Sequence, residues 1–325
     1  MSGIEPVLEI RDLAVHFAPR RRLFGAPAEP VRAVDGVDLV IGAGETLGLV
    51  GESGCGKSTL SNSIVGLVPP TRGSIRVRGA EVSGAGRKAL YAVRREVQMI
   101  FQDPALSLNP RLSVGAAIGE PLIVRGLARG RALKDKVDAL LDQVGLRAEH
   151  AERYPHQFSG GQRQRIVIAR ALALEPRLVV CDEPVSALDV SVRAQILNLL
   201  VELQRRSGVA YLFVSHDLSV VRHICDRVAV MYLGRIVEEA QREKLFADPG
   251  HPYTRALLAA VLEADPVVQR TRPRSVLRGE LPSPSRVPRG CAFHTRCPLA
   301  TEICLHQRPQ LSPRPGGARV ACHHA

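Results

Sequence analysis

Short apolar runs separated by Gly, Pro and charged clusters set the rhythm of this chain. Leu178 to Cys181, Ala210 to Val214 and Val228 to Tyr232 show no polar alternation, and Thr46 to Val50 has none after its first residue. This predicts strands covered on both faces, as in a parallel sheet. Val7 to Ile10 and Val37 to Ile41 read as strands flanking a Pro-, Arg- and Gly-rich loop from Pro19 to Pro30. Ser74 to Val77 and Val97 to Phe101 are further strand candidates. Helical spacing marks Lys57 to Leu67, Leu218 to Ile224 and Ser191 to Arg206, where Val192, Ile196, Leu199, Leu200 and Leu203 share one face. From about Pro110 to Leu174 the pattern turns mostly helical, with apolar spacing in Val114–Val124 and Val137–Val144. The pattern predicts an α/β core with a helical subdomain set into it. A last amphipathic helix, Tyr253 to Glu263, leads into a tail rich in proline and arginine.

A chain of 325 residues with 45% hydrophobic content predicts a globular main domain plus an appendage. No apolar stretch is long enough to span a bilayer, and Met1 to Arg11 lacks a basic head followed by an apolar run, so a cytosolic chain is expected. The formal charge of +12 points to nucleic acid only until its distribution is read. From Pro266 onward ten arginines face only Glu280 and Glu302, and the rest is nearly balanced. Few aromatics accompany these arginines, so no stacking platform for single strands is expected, and solvated charge is the favoured reading.

The chemistry is concentrated in two segments. Gly51-Glu52-Ser53-Gly54-Cys55-Gly56-Lys57-Ser58, continued by Thr59, is a complete phosphate-binding loop between a strand and a helix. Its glycines let backbone N–H groups converge on phosphate oxygens at a helix N-terminus. Lys57 is placed to reach β- and γ-phosphates, and Ser58 has the right length to ligate Mg²⁺. Asp182 ends an apolar strand, where a carboxylate is poorly solvated without a cation, so it is the expected Mg²⁺ partner. Glu183 points elsewhere along the pleat and can hold an attacking water. Cys55 and Cys181 read as packed thiols, with Cys55 reactive if exposed.

With Phe101-Gln102-Asp103-Pro104, Ser159-Gly160-Gly161-Gln162, Ser186-Ala187-Leu188-Asp189 and Ser215-His216-Asp217 in the same order, the chain resembles the ABC-transporter ATPases over nearly its whole length. The resemblance implies a P-loop NTPase cassette with a mixed sheet core, an antiparallel β subdomain and a helical signature subdomain. It implies that two cassettes close head to tail, so that Ser159 and Gly161 of one cover the ATP held by Lys57 and Ser58 of the other. It further implies that Gln102 senses Mg²⁺ and water, that His216 contacts the γ-phosphate, that Asp189 supports the dimer seam, and that Phe17 stacks on adenine. A Phe near a strand end is otherwise usually core. His156, just before the signature, reads as a local hydrogen-bonding residue.

Asp103-Pro104-Ala105-Leu106-Ser107-Leu108-Asn109-Pro110, the Asp182-to-Ser191 wording and His251-Pro252-Tyr253-Thr254-Arg255-Ala256-Leu257-Leu258 resemble the ATP-binding subunits of oligopeptide and dipeptide importers, and within them the second of two unlike ATPases. That implies a cassette over residues 1–248 and an extension over 249–325. The implied partners are two transmembrane permease subunits, a paralogous ATPase and, indirectly, an extracytoplasmic peptide-binding protein, with no nucleic acid. The implied location is the cytoplasmic face of the inner membrane. Related importers of nickel, glutathione or antimicrobial peptides use similar ATPases, and a non-transport ABC ATPase is the remaining alternative.

Four of the seven cysteines, Cys291, Cys297, Cys304 and Cys322, fall in a tail too rich in proline and arginine to build much core, so a staple is expected there. A reducing cytosol disfavours disulfides. The spacings of five, six and seventeen intervening residues lack paired zinc knuckles, while His294, His306, His323 and His324 keep zinc as an alternative. Similar tails in peptide-importer ATPases hold a [4Fe–4S] cluster in some relatives, and that is the expectation here.

Overall fold

A computed structural model describes residues 6–18, 29–260 and 279–325. The strands are β1 (Leu8–Phe17), β2 (Val31–Ile41), β3 (Thr46–Val50), β4 (Arg72–Val77), β5 (Ala80–Glu81), β6 (Val97–Ile100), β7 (Leu178–Asp182), β8 (Ala210–Ser215), β9 (Arg227–Tyr232), β10 (Arg235–Gln241), β11 (Ser312–Pro313) and β12 (Arg319–Val320). The helices are α1 (Lys57–Ile64), α2 (Arg87–Glu96), α3 (Pro104–Ser107), α4 (Val114–Val124), α5 (Gly130–Gln143), α6 (Gly160–Leu172), α7 (Val190–Ser207), α8 (Leu218–Ile224), α9 (Arg242–Ala247), α10 (Pro252–Ala259) and α11 (Glu302–His306). The chain divides into two compact units: Met1–Leu8, Ile41–Glu45 and Val77–Val214 form one, and Glu9–Val40, Thr46–Arg76 and Ser215–Ala325 form the other.

In the first unit β6, β7 and β8 run parallel, with Ile100 opposite Cys181 and Asp182 opposite Val214. Every residue of β7 and β8 is buried, which explains their unbroken apolar runs. Helices α4, α5 and α6 form the helical subdomain around Val114, Ile118, Leu122, Val137, Leu141 and Ile166. Ser113 starts α4 by accepting the Ala116 amide, which satisfies one of the orphan donors of a first turn. Helix α7 buries Ile196, Leu199, Leu200 and Leu203 and stops at Gly208, whose φ of 68° is the left-handed conformation that ends helices.

In the second unit the sheet order is β3-β9-β10-β12-β11: β3 and β9 are parallel, and the remaining pairs are antiparallel. In a separate sheet β2, β1 and β4 are successive neighbours. β1 and β2 extend further than their apolar runs predict, and the loop expected from Pro19 to Pro30 falls mostly outside the described residues. The last amphipathic helix is seen as α10, and the remainder of the expected segment to Glu263 lies outside them too.

β10 is not readable from periodicity because it buries two acids in succession. Glu238 accepts the Gly250 and His251 amides at 2.6 and 2.8 Å, and Glu239 pairs with Arg227 and Arg319 at 3.4 and 3.3 Å. The partners that make those burials tolerable come from distant segments, which sequence alternation cannot reveal.

Candidate nucleotide site

The phosphate loop occupies the turn from β3 into α1. Gly51 has φ 157°, and a Cβ there would lie 2.3 Å from the Met231 carbonyl oxygen. Gly56 has φ 112°, and its Cβ would lie 2.0 Å from the Ala33 carbonyl oxygen. Both contacts are with backbone, so neither position can yield, and glycine is required on conformational and steric grounds together. Lys57 is only 6% exposed, and its ammonium donates to the Gly51 and Glu52 carbonyls at 2.7 and 3.0 Å. Those bonds hold the cation over the loop. Ser53, Gly54 and Ser58 are exposed, and Thr59 is half-buried.

Cys55 is buried, and burial pushes its thiol above the usual range despite Lys57, so it is a packed, protonated group. His216 lies just after β8 and lines a cavity of about 400 Å³ with Val50, Gly51, Asp217, Ser219 and, from α10, Leu257. Phe17 is 43% exposed at the end of β1, which removes it from the core.

The acidic segment belongs to the other unit. Asp182 closes β7 and is buried. Glu183 follows at φ 49°, a left-handed conformation that costs about 1 kcal/mol for a side chain with a Cβ. Its amide donates to the Val214 carbonyl at 3.0 Å, and its carbonyl accepts both the Ser186 amide and hydroxyl. The turn brings Glu183 to Gln102, whose amide donates to Oε2 at 3.2 Å. Cys181 is wholly buried, and desolvation with the adjacent Asp182 drives its thiol far upward, so it packs rather than reacts.

Ser159 begins α6 with a reciprocal cap: its hydroxyl accepts the Gln162 amide at 3.3 Å, and Gln162 Oε1 accepts the Ser159 amide at 3.0 Å. Gly161 lies where a Cβ would meet Val192 Cγ1 at 2.4 Å, so α6 and α7 can approach there only over glycine. Asp189 is exposed at the start of α7. His156 stacks its ring on Tyr154 at 5.9 Å, a local packing role.

The extension contributes contacts that motif reading missed. His251 is 1% exposed; its Nδ1 accepts the Tyr253 amide at 3.0 Å, and burial pushes its pKa down to about 3, so the ring stays neutral. Tyr253 packs with Tyr232 and Phe293, and its hydroxyl oxygen accepts the Glu52 amide at 2.8 Å. Arg296 grips the Glu52 carboxylate with both guanidinium nitrogens, at 2.6 and 3.0 Å. Glu52 itself was the available signal, because an acid inside an anion-binding loop needs a compensating cation.

The four tail cysteines were expected to form a metal site. Among the described residues no group of three or more His, Cys, Asp or Glu is assembled to hold a metal ion, so the structure gives the four-cysteine metal site no support. Cys304 is buried and the other three are half-buried; burial first, then the neighbouring thiols, push Cys291, Cys297 and Cys322 above the usual thiol range. Cys291, Cys297 and Cys322 nonetheless each accept a backbone N–H from two residues on, those of Phe293, Leu299 and His324.

Comparison with known proteins bears on both segments. The ABC transporter family model matches residues 34–186, and the model for the oligopeptide/dipeptide transporter C-terminal region matches residues 237–304. The chain is 50% identical over 324 residues to the di/tripeptide transport ATP-binding protein DppF of Pseudomonas aeruginosa, covering 99% of this chain and 98% of that protein. It is 51% identical over 313 residues to the oligopeptide transport ATP-binding protein OppF of Escherichia coli, covering 95% and 94%. The dimeric, post-hydrolysis structure of the ATP-binding cassette MJ0796 bound to ADP and Pi superimposes with a TM-score of 0.63 at 29% identity, covering 72% of this chain and 98% of that one.

Proposed function

Because this chain belongs to the ATP-binding subunits of the oligopeptide and dipeptide ABC transporters, we propose that it binds and hydrolyses ATP to energise peptide import through a membrane permease. The observation that carries this reading is the phosphate loop, with Lys57 folded over the Gly51 and Glu52 carbonyls and glycines that no other residue can replace. ATP would displace those two carbonyls from the Lys57 ammonium with its own phosphate oxygens.

Ser58, Asp182 and Gln102 would hold Mg²⁺, which would supply charge neutralisation to the triphosphate. Glu183, steadied by Gln102, orients the attacking water; His216 contacts the γ-phosphate and Phe17 stacks on adenine. Ser159 and Gly161 serve the nucleotide of a partner cassette, their exposed α6 N-terminus offering backbone N–H groups to the γ-phosphate. The assembly is two permease subunits with this chain and an unlike paralogue, fed by an extracytoplasmic peptide-binding protein. The chain sits peripherally at the cytoplasmic face; among the described residues no helix is long and apolar enough to cross a membrane. Residues 1–248 form the cassette and 249–325 the extension.

Cys291, Cys297, Cys304 and Cys322 are proposed to carry a [4Fe–4S] cluster, with zinc as the alternative. Support comes from the three N–H···S contacts, which stabilise thiolate ligands. Loading must draw the thiols together, and iron and sulfide analysis of anaerobically purified protein decides between the two.

The reading is tested with the chain reconstituted alongside its permease and binding protein in vesicles. ATP-driven peptide uptake is expected, and Glu183→Gln is expected to stop uptake and ATP turnover together. Uptake that proceeds without ATP, or turnover in Glu183→Gln within a few-fold of wild type, overturns it.

A further inference from the structure

An acid in a phosphate-binding loop is electrostatically misplaced. Glu52 follows Gly51 directly, and an uncompensated carboxylate there would repel the triphosphate that the loop amides and Lys57 attract. The cation that answers it comes from 244 residues away: Arg296 pairs with both Glu52 oxygens while its own side chain is only 5% exposed. Guanidinium and carboxylate match as a planar fork, so the pair fixes orientation as well as charge. On the backbone side, the Glu52 amide is held by the Tyr253 hydroxyl. One loop residue is therefore gripped at its main chain and at its side chain, both times by the extension.

The gripping residues are themselves firmly set. Tyr253 sits in a buried aromatic cluster with Tyr232 and Phe293, at ring separations of 4.8 and 5.5 Å. Its backbone is fixed by His251 Nδ1, and the His251 amide is held in turn by the buried Glu238 carboxylate. Arg296 closes a short helical turn in which its amide donates to the Phe293 carbonyl at 3.0 Å. Phe293 packs edge-on against Tyr232 and tilted against Tyr253, so the two gripping points share one packed base.

We propose that the C-terminal extension is a positioning clamp for the nucleotide site, in which Arg296 neutralises and orients Glu52 while Tyr253 holds the Glu52 backbone, so that the phosphate loop is pre-set for the triphosphate. The inference rests on the nucleotide reading above. It gives the His-Pro-Tyr segment a physical role, since His251 and Pro252 start α10 so that Tyr253 meets the loop. Because the clamp acts before chemistry, its loss weakens nucleotide binding and leaves the hydrolytic step of bound ATP unchanged.

The experiment measures ATP affinity directly on the purified full chain, with thermal melting as a check on folding. Arg296→Met is expected to weaken ATP binding roughly tenfold or more, since it leaves Glu52 unpaired beside the phosphates. Glu52→Gln is expected to bind ATP at least as well as wild type. The double variant, which removes both charges, is expected to recover to within about threefold of wild type. A residue that merely packs would leave the double variant as weak as Arg296→Met, and that result, or wild-type affinity in Arg296→Met, overturns the clamp. Should Arg296→Met not fold, Arg296→Lys keeps the charge but loses the fork and is expected to bind ATP about threefold more weakly; an unchanged affinity then overturns it. Hydrogen exchange supplies a reciprocal readout: ATP should slow exchange at the amides of residues 293–297 in wild type and not in Arg296→Met. A wild-type chain that binds no ATP would instead bring down the nucleotide reading itself.

Discussion

Two turns of this molecule follow buried parallel strands, and they solve their backbone problems in opposite ways. After β3 the chain turns through Gly51 and Gly56, positions where a Cβ would strike backbone at 2.3 and 2.0 Å, and the groups proposed to bind phosphate are main-chain N–H groups and one lysine. After β7 the left-handed residue is Glu183 at φ 49°, a side-chain residue carrying conformational strain that glycine would relieve. A loop that binds anions through its backbone gains from having no side chains. A turn that must aim one carboxylate needs the side chain and tolerates the strain. On the function proposed above, the contrast separates two roles, in which the first turn sets affinity for the triphosphate and the second sets the rate at which it is cleaved.

That separation can be broken or sharpened by substitution. The largest effect belongs to the acidic turn: Glu183→Gln keeps shape and the Gln102 contact but loses the charge that polarises water, so turnover falls by about 10³-fold while ATP affinity stays close to wild type. Steady-state hydrolysis by the assembled transporter, beside equilibrium binding of ATP, measures both. Lys57→Ala is the mirror case. It should weaken ATP binding by about 10²-fold, because the ammonium is proposed to contact the phosphates in ground and transition states alike; a variant that binds normally and merely turns over slowly would merge the two roles. Gln102→Ala removes the 3.2 Å contact on Glu183 without touching its charge, and turnover is expected to drop by roughly tenfold, a larger change than in ATP affinity, which loses one proposed Mg²⁺ ligand.

The smallest effect tests the extension that braces the first turn. His251 is held neutral, its pKa lowered by burial from 6.5 to about 3. The unfolded chain therefore binds more protons below pH 6.5, so the stability contributed by this residue is complete above that value and is lost progressively as pH falls toward about 3. Melting temperature should decline from about pH 7 to about pH 5, and His251→Asn, which keeps an acceptor for the Tyr253 amide and does not titrate, should flatten that decline while lowering the value at neutral pH. An unchanged slope would remove His251 from the acid response.

The same contrast bears on what could be read in advance. β7 and β8 were legible because strands covered on both faces need unbroken apolar residues, and the phosphate loop was legible because its chemistry uses adjacent residues at fixed spacing. β10 was not, since Glu238 and Glu239 carry no apolar signal and their partners lie 12 to 80 residues away. The same limit applied to the tail, where the count of cysteines suggested a metal centre while the described residues show no assembled one.

What the sequence determined by itself is therefore the local chemistry: a loop whose glycines and lysine suit a triphosphate, and an acid pair at a strand end. Each depends on residues a few positions apart, within reach of helix and strand geometry. Tertiary structure alone decided that Gln102 meets Glu183 across 81 residues, and that Arg296 and Tyr253 of the extension take hold of Glu52 across 244 and 201. Side-chain pairing at such separations is fixed by how packed elements bring distant segments together, and spacing along the chain carries no record of it.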